Sequence, residues 1–279
     1  MSDVPNATHD FADTFAGYDF APATTIVPLD GSTDSEAALA MGSCLAEAFD
    51  VRLRILHAIA TEATEEAAAL ANFEGYVSDL AARSAVHDSR TTTEVSAGSA
   101  VEVILDAASE DDLVVMATLG RRGLKSALFG RVAARVVRQS KAPILLVPVR
   151  PNVPDSPIRN IVTAADDAES AAHAAAVARS LATKLGTPAS LADSNAPTPI
   201  ADAAVPRERG HVFAAPTVDA TGDQDVGAGL VVARSAGRGF FGRLLMGSIS
   251  EHLMHRLDRP LLILPALSRG AGARPTARR

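Results

Sequence analysis

The sequence predicts an α/β protein built from two tandem, doubly wound units, each a five-stranded parallel sheet covered by helices on both faces, the second unit abridged. Three observations carry this. Short runs rich in valine and isoleucine alternate with helical patterns through the first half, the mark of βαβ units. The 279-residue length suits two domains of about 100–150 residues each. A second pass through the same order of elements begins at Ile161.

The first half justifies its elements one by one. Thr24 to Leu29 is an apolar run ended by the turn signal Asp30-Gly31-Ser32. From Ser35 onward, Ala38, Leu39, Met41, Gly42, Leu45, Ala46 and Phe49 recur at helical spacing. Cys44 falls within this pattern and reads as a packing residue, since a free cysteine is mostly buried and inert. Val51 to Ile59 is a second strand, with His57 expected as a partly buried strand residue. Thr64 to Ser84 is a second helix, Thr91 to Val95 a threonine-rich strand suited to a sheet edge, and Ala100 to Ser109 a third helix.

Asp112 to Val149 organises the rest. It runs from the valine-rich Asp112–Ala117 through a glycine-bearing loop, Thr118 to Gly130, and a helical pattern, Val132 to Ser140, to Ile144–Pro148. That order is a βαβ unit with parallel strands. Ligands of such sheets sit at the carboxyl ends of strands, where the strand order reverses. Asp30 follows the first strand, and Ala117 to Gly120 follow the fourth. Gly130 lies where the loop feeds a helix, and free N–H groups at a helix start attract anions.

The second pass repeats these landmarks. Ile161-Val162-Thr163 answers the first strand, Ser170 to Leu185 the first helix with Gly186 as its cap, and Ala189 to Ala192 the second strand. Gly229 to Ala233 answers Leu113 to Ala117, and Leu261 to Pro265 answers Ile144 to Pro148. Gly237 and Gly247 keep the separation of Gly120 and Gly130. Asn195 to Gly227 lacks a convincing helix, with His211-Val212-Phe213 as a candidate third strand. The expected division is therefore an acidic head at 1–22, a first domain at 23–149, a proline-bearing linker at 150–157, a degenerate second domain at 158–267 and a basic tail at 268–279. The head carries Asp3, Asp10, Asp13 and Asp19, and is expected to be mobile with local packing through Phe11, Phe15 and Tyr18.

Composition narrows the function classes. A net charge of −7 argues against nucleic-acid binding by the whole surface. No apolar run approaches the roughly 20 residues of a membrane span, and the N-terminus has no signal-peptide pattern. A cytoplasmic location is the expectation. One cysteine excludes an internal disulfide or a cysteine zinc cluster, and the His252/His255 pair has no evident third metal ligand. No Ser/His/Asp grouping or base beside a phosphate loop is visible, so an enzyme is not expected.

Both halves resemble the universal stress protein domain. The resemblance rests on Pro28-Leu29-Asp30-Gly31-Ser32, on Leu56-His57-Ala58, and above all on the run from Gly120-Arg121-Arg122-Gly123 to Phe129-Gly130-Arg131-Val132 and its helix. It covers about residues 24–149 closely and 158–266 more loosely. It implies an adenine nucleotide alpha hydrolase-like, or flavodoxin-like, fold and a regulatory ATP site, with Mg2+ only alongside the nucleotide. Residue by residue, it implies Pro28, Asp30, Ala58 and Met116 around base and ribose, and Ala117, Gly120, Gly130, Arg131 and Val132 around the phosphates. It also implies that the last strands, Ile144–Val147 and Leu261–Leu264, pair the halves across a pseudo-twofold, with a homodimer as a further assembly.

The chain departs from the family pattern at defined points. ATP-binding members have Gly, two residues, Gly, nine residues, then Gly and a Ser or Thr. The first half reads Ala117, Gly120, Gly130, Arg131; the second reads Arg234, Gly237, Gly247, Ser248. Ala165 stands where Asp30 stands in the first half, with Asp166 one residue on. Arg131 brings a cation to a helix start, which the helix dipole disfavours unless an anion is bound. Arg234 is bulky enough to close the second cleft. The competing account is a nucleotide-free interaction protein whose Asp30 is a turn or cap residue and whose glycines serve loop packing.

Overall fold

The computed structural model describes residues 15, 18–59, 66–83, 90–118, 130–149, 158, 160–165, 168–187, 189–190, 229–234 and 260–265. Gly120 and most of the glycine loop, both glycines of the second loop with Ser248, Asp166, the linker, His211–Phe213, the His252/His255 pair and the basic tail lie outside them.

Through the first half, strands and helices alternate as β1 (Thr24–Pro28), α1 (Thr33–Phe49), β2 (Arg52–Ile59), α2 (Glu66–Arg83), β3 (Thr91–Ala97), α3 (Ala100–Ala107), β4 (Leu113–Thr118), α4 (Arg131–Gln139) and β5 (Ile144–Pro148). Then come β6 (Asn160–Ala165), α5 (Ala168–Leu185), β7 (Ala189–Ser190), β8 (Gly229–Arg234) and β9 (Leu261–Leu264). All nine strands form one sheet in the order β3-β2-β1-β4-β5-β9-β8-β6-β7. Every neighbouring pair is parallel except β5 and β9, which run antiparallel with Ile144 opposite Ile263, Leu145 opposite Leu262 and Leu146 opposite Leu261. The order 2-1-4-5 of the first half thus returns in β7-β6-β8-β9, turned end for end. Among the described residues the second half has no counterpart of the edge strand β3.

Local signals explain the element ends. Ser32 caps α1, its hydroxyl accepting from the Ser35 N–H at 3.2 Å. Asp50 ends α1 in the left-handed region at φ 58°, its N–H reaching Ala46 and Glu47 carbonyls. Ser99 and Glu102 form a capping box before α3: the hydroxyl accepts from the Glu102 N–H at 3.3 Å and donates to its carboxylate at 2.6 Å. Gly186, at φ 61°, closes α5, and the next N–H, that of Thr187, bonds back to Ala182.

Two apolar layers sandwich the sheet. One face buries Val27, Ile55, Val115, Leu145, Leu230 and Leu262 beneath α1, α2 and α5. The other buries Ile26, Leu56, Val114, Ile144, Val231 and Ile263, with α3 and α4 over its first half. Strands buried on both faces read as continuous apolar runs, which is why β4, β5, β8 and β9 were conspicuous. On α1 the buried stripe runs Ser35, Ala38, Leu39, Gly42, Leu45, Ala46 and Phe49. Cys44 lies off that stripe and is exposed, contrary to the expectation of a packing residue. Partial burial, then the Glu47 carboxylate, raises its thiol pKa, so it stays protonated and unreactive.

The start of the described chain also differs from expectation. Phe15 is buried and stacks on His173 of α5 at 5.0 Å between ring centres, and Tyr18 meets the same ring edge-on at 4.9 Å. The Ser180 hydroxyl donates to Asp19 at 2.5 Å and accepts from the Phe20 N–H at 3.0 Å. These partners lie about 160 residues away in sequence, in addition to the expected local contact of Phe15 with Tyr18, 6.1 Å between ring centres.

Candidate functional site

The first half reverses strand order between β1 and β4. From β1 the chain steps outward through β2 and β3, then crosses to β4 on the other side. The connections leaving β1 and β4 therefore diverge and open a crevice at their carboxyl ends. Thr25 faces Leu113 and Ile26 faces Val114 in that ladder, so Pro28 and Met116 follow at the same level. Pro28 is opposite Leu56, two residues before Ala58.

Side-chain alternation then sorts the site residues. Met116 and Ala58 belong to the layer beneath α3 and α4, the side on which Ile26, two residues before Pro28, also lies. Pro28 and Ala58 are half-buried, and Met116 is buried. Ala117 packs instead into the layer beneath α1, α2 and α5. A ligand over the α4 side would meet Ala117 through its backbone, so its methyl group is no obstacle there.

Gly130 occupies the N-cap of α4 with φ −51° and ψ 150°, and no side chain caps the helix among the described residues. Any residue tolerates that backbone, and a Cβ there would meet no described residue within 4 Å. The first turn of α4 has no acid, and Arg131 is exposed. Val132 is the exposed large hydrophobic residue among those described, at 37 %. An uncapped helix start with a bare glycine and an adjacent guanidinium is chemically an anion seat.

Asp30 lies at the crevice rim. Its Oδ1 accepts from the Ser32 N–H at 2.9 Å and the Ser32 hydroxyl at 2.5 Å, while Gly31 supplies the left-handed turn at φ 83°. Partial burial raises the carboxyl pKa. The hydrogen bonds from the Ser32 side chain and backbone, with those from Ser35 and its own backbone, outweigh burial, and the net value is lowered. Asp30 is thus a fixed, exposed, ionised acceptor. His57 does not join it: the Nδ1 contacts the Leu29 carbonyl at 2.7 Å and the ring stacks on Phe73, the half-buried structural role expected of it.

At the corresponding strand end of the second half, Arg234 turns its side chain toward α5. Arg234 ends β8 opposite Ala165 of β6 and is only 3 % exposed. Its Nη1 donates to the Glu169 carbonyl at 3.4 Å, and its Nη2 lies 3.6 Å from the Glu169 carboxylate, in the first turn of α5. Next to this stand His173, Phe15 and Tyr18. Sequence reading singled out Arg234 by bulk alone. It missed His173, whose one signal was a lone histidine within the alanine-rich buried stripe of α5, and the aromatic cover, which has no local signal.

Fold and site together define a class: a doubly wound α/β protein with a crevice at a topological switch point. Residues 24–148 match the Universal stress protein family. Among solved structures, a universal stress protein from Archaeoglobus fulgidus DSM 4304 is similar over 90 % of this chain and 99 % of its own, at 17 % identity and a TM-score of 0.62. A putative universal stress protein from Pseudomonas aeruginosa UCBPP-PA14 is similar over 88 % of this chain and 93 % of its own, at 16 % identity and a TM-score of 0.56. At such identities these two likenesses speak for the fold. No curated protein sequence matches the chain.

Proposed function

We propose that the first half binds an adenine nucleotide, ATP in class, as a regulatory ligand of a stress response, and that the second half is a degenerate partner domain. One observation carries this reading: the start of α4, which no described side chain caps, lies on the same side of the sheet as Ala58 and Met116. The N–H groups of that turn and Arg131 would hold phosphate oxygens. Asp30 would accept from a ribose hydroxyl, and Pro28, Ala58 and Met116 would flank the base. The match of residues 24–148 to the Universal stress protein family supports this use of the crevice. Any Mg2+ would come with the nucleotide, since no group of metal-ligating side chains exists among the described residues. No helix among them is long and apolar enough to cross a membrane.

A second reading is a nucleotide-free interaction protein. Arg131 favours it, because a cation in the first turn of a helix opposes the dipole. Heating the protein with and without ATP separates the two. Saturation at 100 times Kd should add about 2.7 kcal/mol to stability. Asp30→Ala and Gly130→Val should each remove the shift, and Gly130→Val should leave the ligand-free Tm nearly unchanged because its backbone suits any residue. No shift at millimolar ATP would support the second reading. Phosphate release during incubation would show turnover, which the proposal does not expect.

A further inference from the structure

Arg234 and His173 bring unmet hydrogen-bonding demand to the carboxyl end of the second half-sheet. Arg234 is 3 % exposed and His173 4 %. Among the described residues, the Nε of Arg234 and both ring nitrogens of His173 have no hydrogen-bond partner. The Glu169 carboxylate answers only the far end of the guanidinium, at 3.6 Å, and is itself 45 % exposed. A buried charge so weakly compensated is costly unless something else is hydrogen-bonded to it. Arg234 acts electrostatically on both His173 and Tyr18, so the three groups are neighbours. They stand by the amino-terminal end of the 18-residue helix α5, whose dipole adds positive potential.

We propose that this cluster is a binding site for a small protonated tetrahedral oxyanion, inorganic phosphate in class, and not for a nucleotide. The donor count leads to phosphate. The Arg234 Nε–H needs an acceptor. A neutral imidazole needs an acceptor for its one N–H and a donor for its bare nitrogen. Dihydrogen or monohydrogen phosphate supplies both, along with charge to balance the guanidinium; sulfate supplies acceptors alone. Burial, followed by the charge of Arg234, keeps His173 neutral, with its pKa lowered to about 4. Phe15 already stacks on the His173 ring, the contact a base would compete for, and Tyr18 meets the ring edge-on. The site is independent of the nucleotide reading, since it shares no residue with the crevice at Asp30 and Gly130.

The test is a titration of the full chain with inorganic phosphate, against sulfate and chloride at equal ionic strength, read from the 15N–1H signals of the histidine rings. His173→Phe identifies the signal. A saturable phosphate shift of the His173 nitrogens is expected, weaker with sulfate and absent with chloride. Arg234→Met should weaken phosphate at least tenfold, while Asp30→Ala should leave the titration intact. If Arg234→Met does not fold, the three-anion comparison on the unaltered chain decides alone. A His173 signal that ignores millimolar phosphate, or follows all three anions alike, would mean that water fills the site and would overturn the proposal.

Discussion

His173 shows what one buried side chain does to the whole stability curve. Its folded pKa is about 4, against an ordinary 6.5, because burial and then Arg234 oppose the imidazolium. Above about pH 6.5 the ring is neutral in both states and contributes no pH dependence. Between about 6.5 and 4 the unfolded chain binds the extra proton, so stability falls as the pH falls. The full loss is on the order of 3 kcal/mol. His173→Phe, close in volume and already among aromatic rings, should flatten that slope in denaturant titrations at pH 4.5 and 7. An unchanged slope would mean that the ring is protonated in the folded protein. Much at this scale could be read in the sequence: Asp30 as a turn acceptor and His57 as structural follow from local pattern, while the reach of Arg234 to Glu169 does not follow from bulk. Cys44 could not, because a shift of one position moves a helical residue by about 100°, off the buried stripe.

Among the elements, α1 is the most constrained by its neighbour. It crosses β1 at Gly42, where an added Cβ would fall inside van der Waals contact of Val27 Cγ2, with Thr25 and Leu53 close behind. Val27 is fully buried and stiff about χ1, so the neighbour cannot give way. Gly42→Ala should cost about 1–3 kcal/mol, although alanine is intrinsically the better helix former. Chemical denaturation would check this, and a stabilised variant would refute the close approach. Element order and type were legible because the central strands are short aliphatic runs and the helix α1 keeps its apolar stripe. The glycine loop was legible only as chemistry: Gly130 could be located at a helix start, but the inward aim of Ala117 does not follow from spacing.

Across the whole molecule, the sheet is continuous through β5 and β9. Ile144, Leu145, Leu146, Leu261, Leu262 and Ile263 are all buried at that seam. The halves should therefore melt in one calorimetric transition. Leu262→Asp, which buries a charge opposite Leu145, should split or broaden it, with the second half melting first. Two transitions in the unaltered protein would show that the seam does not couple the halves. The pairing of the last strands was anticipated from the family resemblance. The packing of Phe15 and Tyr18 on α5 was not, because contacts about 160 residues apart leave no periodic trace.

The antiparallel seam has one more consequence. A fifth strand left at a sheet edge would offer its backbone to another molecule, and such an association would come apart on dilution. Here β9 occupies that edge from within the same polypeptide. The effective concentration of the partner is set by the connecting chain and not by how much protein is present. The paired sheet should consequently persist at nanomolar protein as fully as at millimolar.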